Sequence, residues 1–108
     1  MNKVIRDGKV AVLYSPGHGA GWWTWNTEHT DMLFDPGMVD LVEKYSKHEG
    51  FDFDKLRVYA ELKWPDAYLG GLDRVQIEWL PEGSQFIVEE YDGFESIRTI
   101  ENTVWMTA

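Results

Sequence analysis

The sequence predicts a small α+β domain: an antiparallel sheet built mainly from residues 73–100 plus a strand at 9–14, packed with one or two helices at about 36–48 and 52–64. Three observations predict it. Residues 9–14, KVAVLY, are apolar on both alternating faces, as in a strand covered from both sides. Asp35-Pro36 followed by Met38, Leu41, Val42 and Tyr45 has the cap and the spacing of a helix. From Gly70 onward the text alternates and carries Asp92-Gly93, the dipeptide suited to a type I′ hairpin, whose two central positions both need positive φ.

Each element follows in order. The first strand runs into SPGHGAGWWTWN, residues 15–26, where three glycines and a proline exclude regular structure before three tryptophans arrive within four positions. The first helix should continue to about residue 48, short of Gly50. Segment 52–64 reads two ways: Leu56, Val58, Ala60, Leu62 and Trp64 alternate like a strand, whereas Asp52 or Asp54 would cap a helix burying Leu56, Tyr59 and Ala60. Helix formers at 60–63 and the stop at Pro65 favour the helix. Val75, Ile77 and Trp79 then alternate with polar neighbours, PEGS at 81–84 is a turn, 85–91 form a strand and 94–100 fold back on it, giving a three-strand meander. The run from Thr103 to Met106 would add an edge strand or dock on the core.

A length of 108 residues suits one domain, spanning 1–108, and 44% hydrophobic with 27% charged residues lies in the range of chains that fold. No stretch approaches the roughly 20 apolar residues of a membrane helix, so a soluble chain without a membrane partner is expected. The lack of cysteine excludes disulfides and thiolate chemistry and suits a reducing compartment, which makes the cytoplasm the expected location. A net charge of −9 opposes general nucleic-acid binding. Residues 1–30 nevertheless carry Lys3, Arg6 and Lys9 against Asp7 and Glu28, so any anion site belongs near that end.

Residues 15–26 are the candidate site. A strand entering a glycine-rich bend can turn successive N–H groups toward one anion, here with Gly17, Gly19 and Gly21 allowing close approach and Ser15 and His18 beside them. Trp22, Trp23 and Trp25 offer flat faces for stacking a base, and in an extended segment they cannot all turn inward. The pattern is neither GxxxxGK with Ser or Thr nor GxGxxG before a helix, which disfavours a nucleoside-triphosphate loop. The competing reading is a tight bend whose tryptophans fill the core. PDAYLGGL, residues 65–72, is a second glycine-bearing connection; were it to neighbour the first, Tyr68 and Arg74 would complete the site, with Arg74 or Arg6 supplying the cation. His29 with Glu28 and Asp31 has the residue types of a metal site but no second histidine at ligand spacing, so neither metal nor cofactor is expected. The acids Glu89, Glu90, Asp92 and Glu95 read as a solvated hairpin tip or as a rim facing a basic partner.

The phrases VIRDGKVAVLYSPGHGAGWWTWN, PDAYLGGL, IEWLPEGSQF and EEYDGFESI resemble a family of short proteins encoded by tailed bacteriophages and their prophages. That resemblance covers most of the chain and implies a small protein made inside a bacterium, where counter-defence is a common role. The leading expectation is therefore a noncatalytic binder that sequesters a nucleotide-derived, including cyclic, immune signal. Two alternatives stand beside it: an acidic inhibitor that covers a host defence protein, and a small nucleotide hydrolase using His18. Open sheet edges and an exposed tryptophan would also suit a homo-oligomer.

Overall fold

The computed structural model describes residues 2–17, 19–45 and 53–99. The expected continuation of the first helix to 48 and the apolar run 103–106 lie outside the described residues. Among the described residues, two antiparallel sheets and two α-helices make up a small α+β fold.

β1 (Ile5–Arg6) and β2 (Lys9–Tyr14) are joined by Asp7 and Gly8, with φ of 51° and 75°, a backbone state that glycine adopts freely. This is the same dipeptide chemistry that marks Asp92-Gly93, in a hairpin too short for alternation to announce. β3 (Gln76–Pro81) pairs with the other edge of β2, from Lys9↔Pro81 to Tyr14↔Gln76. β2 is buried on both sides as expected, because its alternation divides the interior: Ala11 and Leu13 join the helices, Val10 and Val12 the opposite layer.

The meander divides at the PEGS turn. β4 (Phe86–Tyr91) pairs with β5 (Phe94–Thr99) in a sheet of its own, and β3 ends at Pro81. The Glu82 N–H donates to Gly8 O at 2.8 Å, one bond beyond the β2–β3 register, and the Ser84 N–H then donates to Pro81 O at 3.0 Å with Gly83 at φ 86°, so the chain turns out of the first sheet here. What draws it away is apolar surface: Phe86, Val88 and Ile97 pack on Val10, Val12, Leu33, Phe34 and Leu80. The hairpin becomes a lid over the face of β2 that the helices leave open. Its turn is as predicted, with φ of 52° at Asp92 and 83° at Gly93.

α1 (Pro36–Tyr45) starts where Asp35-Pro36 predicts: Asp35 Oδ2 accepts the Met38 N–H at 2.9 Å, the N-cap bond. α2 (Phe53–Lys63) settles the ambiguous segment as helix, turning Leu56 and Ala60 inward and leaving Val58 and Leu62 exposed. Asp35 also ties the helices together, accepting Tyr59 Oη at 2.6 Å and Lys63 Nζ at 2.8 Å. Burial alone would push its carboxyl up; the bonds from Lys63, Tyr59 and the Met38 amide outweigh that and hold it below the ordinary value. Burial, reinforced by Asp35, pushes the Tyr59 hydroxyl up to about 12. Among the described residues, no helix is long and apolar enough to cross a membrane.

Candidate functional site

Loop 15–26 does gather backbone N–H groups around an anion, and that anion is Glu95. β5 turns Glu95 inward on the face it shares with Ile97 and Thr99, where it is fully buried. Its Oε1 accepts the Ser15 N–H at 2.9 Å. Its Oε2 accepts the Trp23 and Thr24 N–H groups at 3.0 and 2.7 Å and the Thr24 hydroxyl at 2.7 Å. The Glu95 N–H returns a bond to Ser15 O at 3.0 Å. A carboxylate withdrawn from water needs such charge-assisted bonds to persist.

This corrects two expectations. Glu95 does not belong to the solvated acids of the hairpin, although Glu90 and Asp92 are exposed and the half-buried Glu89 meets Arg98 at 3.1 Å. Nor is the Gly19 amide held open for a phosphate. The Gly19 N–H donates to Asp92 O at 3.3 Å, and a Cβ on Gly93 would collide with Gly19 O. A Cβ on Gly21 would collide with Thr24 Oγ1. Gly93 lets the β4–β5 hairpin approach Gly19 and Ala20 at backbone distance, and Gly21 leaves room for the side chains of Thr24, Trp25 and Glu95.

The three tryptophans take three different environments. Trp22 is fully buried, its Nε1 donating to Met32 O at 2.7 Å and its ring edge-on to Trp64 at 5.7 Å. Ser15 is buried too, its Oγ accepting the Trp22 N–H at 3.0 Å. Both are therefore parts of the core and present no face to a ligand, contrary to expectation. Trp23 is half-buried against both apolar clusters, and its Nε1 is enclosed with no hydrogen-bond partner among the described residues. Trp25 is 45% exposed and lies tilted by 36° against Tyr68, itself 57% exposed, with centroids 5.5 Å apart.

The two glycine-bearing loops meet, a contact the sequence leaves open. A Cβ on Gly71 would stand 2.5 Å from Ala20 O. Asn26, unforeseen as a site residue, locks the seam: its Nδ2 donates to Trp22 O and Tyr68 O at 2.8 and 2.9 Å, and its Oδ1 accepts the Tyr68 N–H at 2.8 Å. Arg74 reaches the same bend, where Cβ atoms on Gly17 and Gly19 would both come within 2.7 Å of its side chain. Its Nη1 is 3.4 Å from Asp73, a long contact at the surface. Arg6, the other candidate cation, is held by both oxygens of Glu43 at 2.7 and 2.8 Å. His18 lies outside the described residues.

Beside Tyr68 opens a cleft of about 370 Å³, bounded by Gly70 and Asp73 on the loop and by Arg57 and Glu61 of α2. At the far end of the seam, His29 Nε2 stands 3.0 Å from Asp66 Oδ1 and 3.9 Å from Glu28 Oε1. Asp31, the acid expected beside His29, instead accepts Trp64 Nε1 at 3.0 Å. Comparison with protein-family models, curated proteins and solved structures finds no match to this chain.

Proposed function

We propose that the chain binds, without turning over, a flat anionic small molecule of nucleotide type on the face formed by Trp25, Tyr68 and Arg74. The observation that carries this reading is the exposed aromatic pair, fixed from behind by Asn26 on the same loop seam that Arg74 reaches. Two half-open rings supply the surface on which a base stacks, at roughly 1–3 kcal/mol per base. Because the Ser15, Trp23 and Thr24 amides serve Glu95, negative charge on the guest is met by the forked guanidinium of Arg74. Stacking and charge neutralisation need no reacting group, which favours sequestration over turnover. With the resemblance to phage proteins, this reading makes the chain a counter-defence protein that holds a nucleotide-derived immune signal in the bacterial cytoplasm.

The test is titration of the purified protein with cyclic dinucleotides and NAD-derived signals, followed by tryptophan fluorescence and calorimetry. Saturable binding is expected with at least one of them, weakened about tenfold or more by Trp25→Ala and by Arg74→Ala while the melting temperature stays near that of the parent. Heat-denatured complex should release the ligand intact. Silence from every candidate, or a Trp25→Ala protein that binds as the parent does, rejects the reading; released products in place of ligand favour the hydrolase.

A further inference from the structure

We propose that Glu28, His29 and Asp66 form a binding site for a divalent transition-metal ion of the Zn²⁺ class, clipping residues 28–29 to the 65–68 turn. This is independent of the nucleotide reading. One donor atom from each residue lies within 4.8 Å of the other two. With Zn–N and Zn–O bonds of about 2.0–2.2 Å, donors around a tetrahedral ion stand about 3.4 Å apart. The two separations from His29 Nε2, 3.0 Å to Asp66 and 3.9 Å to Glu28, bracket that spacing, so small side-chain rotations bring the three donors to bonding distance.

The donor set argues for the class of ion. An imidazole nitrogen suits zinc, nickel, cobalt or copper, whereas calcium and magnesium take oxygen donors. The two carboxylates, 64% and 70% exposed, bring two negative charges to one ring nitrogen and would neutralise a dication. Three protein ligands leave a further position open to solvent.

The backbone behind these donors is already in place. The His29 N–H donates to Asn26 O at 2.9 Å and the His29 carbonyl accepts the Met32 N–H at 3.0 Å, fixing the first ligand pair. The Ala67 N–H donates to Trp64 O at 3.1 Å, shaping the turn that carries Asp66. The paired bonds between Asn26 and Tyr68 then join the two segments without the ion, so binding does not have to order them first.

Metal-stripped full-length protein titrated with Zn²⁺ in a calorimeter, and with Co²⁺ followed by visible absorption, decides the matter. One equivalent should bind with a micromolar or lower dissociation constant, give Co²⁺ ligand-field bands and raise the melting temperature. His29→Ala and Asp66→Asn should each weaken binding about tenfold or more, and Asp66, being exposed, can be changed without threatening the fold. No saturable uptake overturns the proposal, as does Zn²⁺ binding unchanged in Asp66→Asn and His29→Ala. Loss of stability in Asp66→Asn equal with and without Zn²⁺ overturns it too, leaving only a hydrogen-bonded His–Asp pair.

Discussion

Glu95 and Asp35 are both carboxylates removed from water, at 0% and 3% exposure, but they are satisfied in opposite ways. Among the described residues, three of the four donors to Glu95 are backbone N–H groups of one loop, lying 71 to 80 residues earlier in the chain. Asp35 accepts one amide three residues ahead and two side chains of α2, one of them a lysine whose side chain is 43% exposed. Side-chain partners can swing back to water when their acceptor changes. Backbone amides folded around a charge cannot, so the loop is built on Glu95 while Asp35 joins helices that have an apolar interface of their own.

Replacement by the matching amide should separate the two regions most clearly. In Glu95→Gln, either orientation of the carboxamide places an –NH₂ against a buried N–H donor: Ser15 on one side, Trp23 and Thr24 on the other. We expect a loss of about 3–5 kcal/mol in urea unfolding, the range for an uncompensated buried polar group in a charged network. A Glu95→Gln protein with the parent's midpoint would show that the loop does not need the carboxylate.

Asp35→Asn should cost less, about 1–2 kcal/mol. One orientation of the amide keeps its oxygen toward both the Met38 N–H and Tyr59 Oη, which share Oδ2, and surrenders only Lys63. The comparison is inverted if urea unfolding finds Asp35→Asn the more damaging of the two.

The same contrast explains what could be read in the sequence. Asp35-Pro36 and Asp92-Gly93 act over a few residues, so the helix start and the second hairpin were legible. Residues 15–26 disclosed their chemistry, a bend of amides around an anion, but not its occupant, because Glu95 stood among three other acids. One signal was present: Glu95 is two positions before Ile97 and so shares its inward face on β5. The division into two sheets was hidden because alternation tells which face of a strand is buried and says nothing of which strand it pairs with; Pro81 at the end of β3 was the available hint. Tyr68 and Arg74 were candidates only on the condition that the two glycine-bearing loops meet, which the sequence left open, and Asp66 reaches His29 across 37 residues that carry no local mark of the meeting.

The smallest effect concerns pH, and it sharpens the view of Asp35 as an exchangeable tie. A carboxyl held below its ordinary value in the folded chain stabilises the fold above about pH 4, and that stabilisation is lost as pH falls through the folded-state value. Tyr59 works from the other side. With its hydroxyl pushed up to about 12, its contribution is complete below the ordinary tyrosine value of about 10 and disappears as pH rises through the folded-state value. Urea midpoints measured across pH should therefore fall at both ends in the parent. Asp35→Asn should flatten the acid side and also weaken the alkaline limb, because Asp35 helps to raise Tyr59, whereas Tyr59→Phe should remove the alkaline limb and weaken the acid one through the lost bond to Asp35. If the acid limbs of the parent and Asp35→Asn superimpose, Asp35 is not the group whose ionisation holds α1 to α2, and its bonds to Tyr59 and Lys63 add little beyond the N-cap itself.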